Sequence, residues 1–411
     1  MNIRKDIKLL ISQSFWILII QLFNITAPIV TIPYLLNKLG DTNYGIYAFS
    51  LSATQLCGVI VDYGFSVSTV KIISRNSANK KYISEIISAV NILKIPLYII
   101  SISCINIIPF IISDYETYHI FFLIMSLSMI PISLHSIWIF QSLFKMNLSL
   151  LTVSTYRAAQ ILLIIFLIES KGDLLNLSFI FLMSTSCGAL ISLHNLRKIG
   201  LYFYTPRKKL VKFLARNTWG YFASRISVAS YVNGGTFILG ALAGPNVAAI
   251  YSICEQLYKG CQALISPISQ ALYPIMSRRT DVKFFRRILF FTTFLCAACV
   301  LIGQQITPTA IPILFKANQT EIIDGFNLFS VILIINIPSV LLGYPFLGTI
   351  GKQAVVNHSV IFGGMIQILL LLSIYFLYSL DVKSATIAVL TTETFVFIYR
   401  ATASFKYLKK S

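Results

Sequence analysis

The stretch from Ile366 to Phe376 reads IQILLLLSIYF and carries no charge. Similar apolar runs recur from Leu9 to about Ala403, separated by short polar connections. A helix needs roughly 20 residues to cross the hydrocarbon core of a bilayer. The runs also lack the alternation of a β-barrel strand. The sequence therefore predicts twelve membrane-spanning helices, at residues 10–36, 45–67, 85–112, 118–142, 149–168, 174–194, 218–240, 247–272, 288–314, 326–348, 353–379 and 384–403.

The composition supports an all-α integral membrane protein. Hydrophobic residues make up 56% of the chain and charged residues 11%, and the mean hydropathy is +0.79. This leaves little sequence for a soluble domain.

The net charge of +19 is distributed as a membrane topology requires. If the N-terminus is cytoplasmic, most Lys and Arg residues fall in cytoplasmic segments. The basic residues of the predicted outer loops are Lys38, Lys171, Lys316 and Lys383. This positive-inside bias predicts that both termini are cytoplasmic. It also predicts attraction to anionic membrane lipid, and we expect no nucleic-acid binding.

Two halves are predicted, with six helices each. Residues 1–196 form the N-terminal lobe, 197–217 a basic cytoplasmic linker, and 218–411 the C-terminal lobe. The halves share a weak repeat, in which Gly40 matches Gly244 and Tyr47 matches Tyr251 at the same spacing. Six helices per half would make the two repeats parallel.

Three motifs in the first half resemble a known family. They are Pro33–Gly40 (PYLLNKLG), Tyr44–Tyr47 (YGIY) and Asp62–Ser66 (DYGFS), the last followed by a basic stretch. The chain resembles the Wzx-type polysaccharide flippases, which share a superfamily with the MATE exporters and the lipid II flippase. One departure is Asn37, where the family pattern commonly has an arginine; Lys38 is the neighbouring cation.

The resemblance implies a MATE-like fold with two lobes, a cationic cavity and alternating access. It implies translocation of an oligosaccharide linked to undecaprenyl pyrophosphate, as used for O-antigen or a similar surface polysaccharide, across the bacterial inner membrane. Coupling to H⁺ or Na⁺ and association with a polysaccharide polymerase complex are further expectations from the resemblance.

Ionisable residues inside predicted spans are functional candidates, because inserting a charge costs about 2.5–3.5 kcal/mol. Lys94 and Arg225 are candidate contacts for the pyrophosphate. Arg225 could instead extend to the cytoplasmic face. Asp62, near the cytoplasmic end of its helix, is either a structural residue or an ion-coupling one.

The second half adds three candidates. Glu255 and Lys259 are four residues apart and predict an ion pair on one helix face. Lys259 is then either locked structurally or released to bind substrate phosphate, with Glu255 taking the coupling cation. Glu393 lies in the run Thr391–Thr394 and is either an ion-coupling residue or a hydrogen-bonded structural one.

Aromatic residues near the outer loops have two interpretations. Tyr44, Tyr47 and Tyr251 are expected to anchor the interface, the alternative being stacking on sugars.

Two other functions compete with flipping: a MATE-like exporter of drugs or metabolites, and a membrane polysaccharide polymerase or transferase. The sequence has no obvious nucleophile–base pair, phosphate-cradling glycine loop or metal motif. We therefore expect no enzymatic activity, no cofactor and no metal.

Overall fold

A computed structural model describes residues 3–278, 281–316 and 318–409. These residues are almost entirely helical and include no β-strand. The α-helices are α1 (Ile3–Leu39), α2 (Asp41–Asp62), α3 (Phe65–Arg75), α4 (Lys80–Ile111), α5 (His119–Leu127), α6 (Met129–Ser133), α7 (Ile137–Ser142), α8 (Met146–Leu167), α9 (Leu174–Lys198), α10 (Lys208–Leu242), α11 (Pro245–Arg278), α12 (Val282–Leu314), α13 (Gln319–Leu341), α14 (Gln353–Leu377) and α15 (Val382–Lys409).

Ten segments of the described chain are long and apolar enough to cross a membrane. They correspond to ten of the twelve predicted spans and confirm the class of all-α, multi-pass membrane protein. The other two predicted spans, 218–240 and 247–272, lie in α10 and α11, which have 35 and 34 residues. The total of twelve spans and the cytoplasmic position of both termini stay predictions.

One predicted helix is interrupted. The span 118–142 consists of three short helices, α5, α6 and α7. The break before α7 falls at Ser136, whose φ of 53° is left-handed and cannot continue an α-helix. A second irregularity follows α13, where a π-helical turn at Leu342–Gly348 contains Pro345 and a kink at Gly343. Proline withholds a backbone hydrogen bond there.

The described residues divide into two structural units. The first consists of the described parts of Met1–Gly40 and Ser50–Ile226, and the second of Asp41–Phe49 and the described parts of Ser227–Ser411. The helices α2 and α10 thus each contribute residues to both units. The division into two lobes at 1–196 and 218–411 stays a prediction.

The predicted repeat has a structural counterpart at the start of two helices. Gly40 (φ 78°) precedes α2, and Gly244 (φ 87°) precedes α11. This left-handed conformation suits glycine, which has no Cβ. Within the second unit the first turns of α2 and α11 pack together, and the Thr42 hydroxyl donates to the Asn246 amide oxygen at 2.8 Å.

Candidate functional site

The DYGFS motif forms the turn between α2 and α3. Tyr63 and Gly64 both have left-handed backbone conformations, with φ of 48° and 81°. A Cβ on Gly64 would lie 2.9 Å from the Tyr221 Cβ and 3.0 Å from the Phe222 nitrogen. The Tyr63 ring stacks on Phe222 with 5.0 Å between centroids. The turn therefore packs directly on α10, and any side chain on Gly64 would force it away.

This packing brings Asp62 and Arg225 together. The Arg225 Nε lies 3.4 Å from the Asp62 Oδ2, and its Nη1 donates to the Ser66 hydroxyl at 3.2 Å. That hydroxyl donates to Asp62 at 2.8 Å. Arg225 is therefore held by the turn. Its side chain nevertheless stays 41% exposed, against 20% for Asp62.

Lys94 is the most deeply buried of the predicted site residues in the first unit. It is 2% exposed, and its Nζ donates to the Ser133 carbonyl oxygen at 3.2 Å. Asp62 is also the carboxylate that interacts electrostatically with Lys94. We call Asp62, Ser66, Lys94 and Arg225 the Asp62 cluster. It holds two cations and one carboxylate, so it carries a net positive charge.

The second unit contains the predicted pair of Glu255 and Lys259. The Lys259 Nζ lies 3.2 Å from the Glu255 Oε2, as the spacing of four residues indicates. The Thr236 hydroxyl donates to the same carboxylate oxygen at 3.0 Å. Lys259 also donates to the Asn233 amide oxygen at 3.3 Å. Glu255 is 8% exposed, so its carboxylate is buried within the unit. Lys259 supplies the compensating positive charge, and Thr236 supplies a hydrogen bond.

Glu393 is buried in α15, with 5% exposure. It interacts electrostatically with Tyr258, a neighbour of the Glu255–Lys259 pair in α11. The adjacent hydroxyls of Thr392 and Thr394 donate to the carbonyl oxygens of their own helix, at 2.8 and 2.7 Å. Both hydroxyl hydrogens are therefore bonded to the backbone of α15.

Sequence reasoning did not single out Arg157, on α8. Its Nε donates to the Asn24 amide oxygen at 3.1 Å and its Nη1 to that of Gln160 at 3.2 Å. Its guanidinium carbon lies 4.8 Å from the centre of the Tyr156 ring. Arg157 lies inside the predicted span 149–168, and this position could have identified it as a candidate from the sequence alone.

Arg400, on α15, was also not singled out. It is 7% exposed. Its Nε donates to the Ser359 hydroxyl at 2.9 Å, and its Nη1 to the Ser339 carbonyl oxygen at 2.9 Å. These bonds connect α15 to α14 and to the end of α13. Arg400 lies inside the predicted span 384–403, so the sequence alone could have identified it as a candidate too.

The three tyrosines near the predicted outer loops are buried. Tyr44, Tyr47 and Tyr251 are 2%, 7% and 1% exposed. Interfacial anchoring was therefore the wrong prediction, and sugar stacking is no better supported. Tyr44 and Tyr47 lie on α2 with their ring centroids 6.2 Å apart, and Tyr251 of α11 meets Phe329 of α13 edge to face at 5.4 Å.

Within the described ranges, no group of three or more His, Cys, Asp or Glu side chains could hold a metal ion. Among the site residues predicted from the sequence, the structure brings together Asp62, Lys94 and Arg225 in the Asp62 cluster, and Glu255 with Lys259.

The structure is similar to that of an inward-facing multidrug resistance MATE family transporter of the MOP superfamily. The TM-score is 0.66 at 16% identity, with 96% of this chain and 99% of that chain covered. The fold is therefore that of the MATE-like membrane transporters.

The family described as polysaccharide biosynthesis protein matches residues 10–279, and the chain belongs to that family. Two relatives carry the name "Putative O-antigen transporter". The one from Escherichia coli (strain K12) is 25% identical over 268 residues, which span 64% of this chain and 63% of that protein. The one from Shigella dysenteriae is 22% identical over 387 residues, which span 92% of this chain and 95% of that protein.

Proposed function

We propose that this protein is a flippase for lipid-linked oligosaccharides. Its substrate is a repeat unit of O-antigen or a similar surface polysaccharide, carried on undecaprenyl pyrophosphate across the bacterial inner membrane. Support comes from the family membership, the names of two relatives and the transporter fold.

The observation that carries the proposal is the Asp62 cluster. A pyrophosphate crossing hydrocarbon needs cations, because an uncompensated charge there is expensive. Two cations share one carboxylate in this cluster, and the partly exposed Arg225 has planar donors that match phosphate oxygens. An incoming phosphate can take the place of Asp62 at the guanidinium. Lys94 supplies a second positive charge to the cluster.

The flippase is proposed to work by alternating access with an ion gradient of H⁺ or Na⁺. The residues proposed to couple that gradient are Glu255 and Glu393, both buried carboxylates, with Asp62 in the first unit. Protonation or cation binding at Glu255 would release Lys259 toward substrate phosphate. No enzymatic step is assigned to the chain, since the names of its relatives designate transporters.

A MATE-like exporter of small molecules is the second candidate, favoured by the likeness to a multidrug transporter. A cavity for organic cations should present acidic groups. The positive balance of the Asp62 cluster favours an anionic cargo instead.

The test is deletion of the gene in its own host, with complementation by wild type, by Arg225→Gln or by Arg216→Gln. Arg216 is the matched control, because it is an exposed arginine on the same helix α10. The flippase predicts that deletion and Arg225→Gln abolish surface repeat units and accumulate the lipid-linked oligosaccharide, whereas Arg216→Gln restores both. Single repeat units on the surface without long chains would indicate a polymerase. Unchanged surface glycan would indicate an exporter.

A further inference from the structure

The connection between α9 and α10 is pinned along α4. The Tyr202 nitrogen donates to the Ser84 hydroxyl at 3.1 Å, and the Tyr204 nitrogen to the Ser88 hydroxyl at 2.9 Å. These serines lie one turn apart on α4. Arg207 completes the attachment, since its Nε and Nη2 donate to Glu85 at 3.0 and 2.8 Å. The connection is therefore a fixed surface, not a free loop.

A groove opens where this connection enters α10. It has a volume of about 430 Å³ and is lined by Ile92 and Leu93 of α4, by Thr205 and Pro206, and by Lys208, Val211, Lys212 and Ala215 of α10. The lining includes two exposed lysines and no acidic residue. The nearby carboxylate of Glu85 is bound by Arg207. The groove thus combines an apolar lining with two positive charges on one face of α10.

The same connection presents three consecutive aromatic side chains. Tyr202, Phe203 and Tyr204 are 52%, 52% and 47% exposed. Exposed aromatic residues of this kind are typical of the membrane–water interface. The positive-inside bias predicts that this interface is on the cytoplasmic side, where the leaflet is anionic.

From this arrangement we propose a specific binding site for an anionic glycerophospholipid. One acyl chain lies in the groove against Ile92, Val211 and Ala215, and the lipid phosphate contacts Lys208 and Lys212. The apolar lining argues against a soluble anion, which would leave it empty. The fixed connection argues against diffuse attraction, because the lysines and the groove keep one geometry.

Lipid binding to the purified full-length protein tests the site. Native mass spectrometry would compare retention of phosphatidylglycerol with that of phosphatidylcholine in matched detergent. We expect one phosphatidylglycerol to be retained preferentially. Removing both lysines by Lys208→Gln with Lys212→Gln should reduce that preference about tenfold, since each lysine near a lipid headgroup contributes a severalfold effect.

The control removes two other positive charges from the same helix, by Lys209→Gln with Arg216→Gln. Neither residue lines the groove, and both are exposed, so the preference should persist. A third variant, Ala215→Phe, fills the groove and should also reduce retention.

Several results would overturn the proposal. Equal losses in the two double variants would mean diffuse attraction by positive charge. Undiminished retention by Ala215→Phe would mean that no acyl chain enters the groove. Displacement of phosphatidylglycerol, one for one, by undecaprenyl pyrophosphate at much lower concentration would assign the site to a polyprenyl carrier.

Discussion

Gly45 on α2 offers a sharp test of how the repeated segments pack. A Cβ at this position would collide with the Pro245 carbonyl oxygen and would lie 2.5 Å from its carbon and 3.1 Å from its Cα. Carbon atoms normally approach to about 3.5–4.0 Å. The obstructing atoms are backbone, so no side-chain rotation can relieve the overlap. Gly45→Ala must therefore move α2 and α11 apart by on the order of 1 Å at their first turns.

Two opposing effects decide whether Gly45→Ala stabilises or destabilises the protein. Alanine in place of glycine favours a helix interior by about 0.8–1.0 kcal/mol. Overpacking costs about 1–3 kcal/mol, and separation of the helices also weakens the bond from Thr42 to Asn246, worth about 0.6 kcal/mol for an interhelical bond in a membrane protein. We expect Gly45→Ala to lower the free energy of unfolding by about 1–2 kcal/mol.

Gly58, on the same helix, is the matched control. Outside its own helix no described atom lies within 4 Å of a Cβ built there, so Gly58→Ala should be neutral or stabilising. The midpoints of thermal unfolding of the two detergent-purified variants should differ by about 2–6 °C, from roughly 2 °C per kcal/mol for a large chain. Equal midpoints would refute the packing of α2 on α11.

Three further changes give separate tests. Asp62→Asn should raise the affinity of the purified protein for inorganic pyrophosphate severalfold in calorimetric titration, because Arg225 then has no competing carboxylate in the described part of the cluster; unchanged affinity would remove this cluster from phosphate binding. Arg400→Met should lower the free energy of unfolding by about 1–3 kcal/mol, because it removes the interhelical bonds to Ser339 and Ser359. Arg400→Lys should recover less than half of that loss because lysine lacks the planar fork; full recovery in thermal unfolding would contradict this. Glu393→Gln should reduce flipping in proteoliposomes to the rate without an ion gradient, and retained stimulation by the gradient would exclude Glu393 from coupling.

The class of the protein could be predicted because it depends on local sequence. Continuous apolar runs such as Ile366–Phe376 indicate membrane helices regardless of their neighbours. The pair of Glu255 and Lys259 is equally local, since residues four apart share one face of a helix. The span at 118–142 was predicted, but its division into α5, α6 and α7 was not, because hydropathy does not register the left-handed residue Ser136.

The Asp62 cluster could not be predicted from the sequence. Ser66 and Arg225 are 159 residues apart, and their meeting depends on how the turn after α2 docks on α10. Arg157 and Arg400 could have been identified as candidates, since each lies inside a predicted span. Their partners could not, because Asn24 and Ser359 lie on other helices.

The Arg225–Asp62 and Lys259–Glu255 ion pairs differ in how readily a substrate phosphate could open them. The Arg225 side chain is 41% exposed, so an incoming phosphate can reach its guanidinium and take the place of the Asp62 carboxylate there. Lys259 is bound to a carboxylate that is only 8% exposed. Removing that lysine would leave Glu255 charged and uncompensated, at a cost of about 3–5 kcal/mol for a buried pair, unless a proton or cation arrived with the change. Arg225 is therefore the better first contact for an incoming pyrophosphate, while Lys259 can follow only after Glu255 is neutralised.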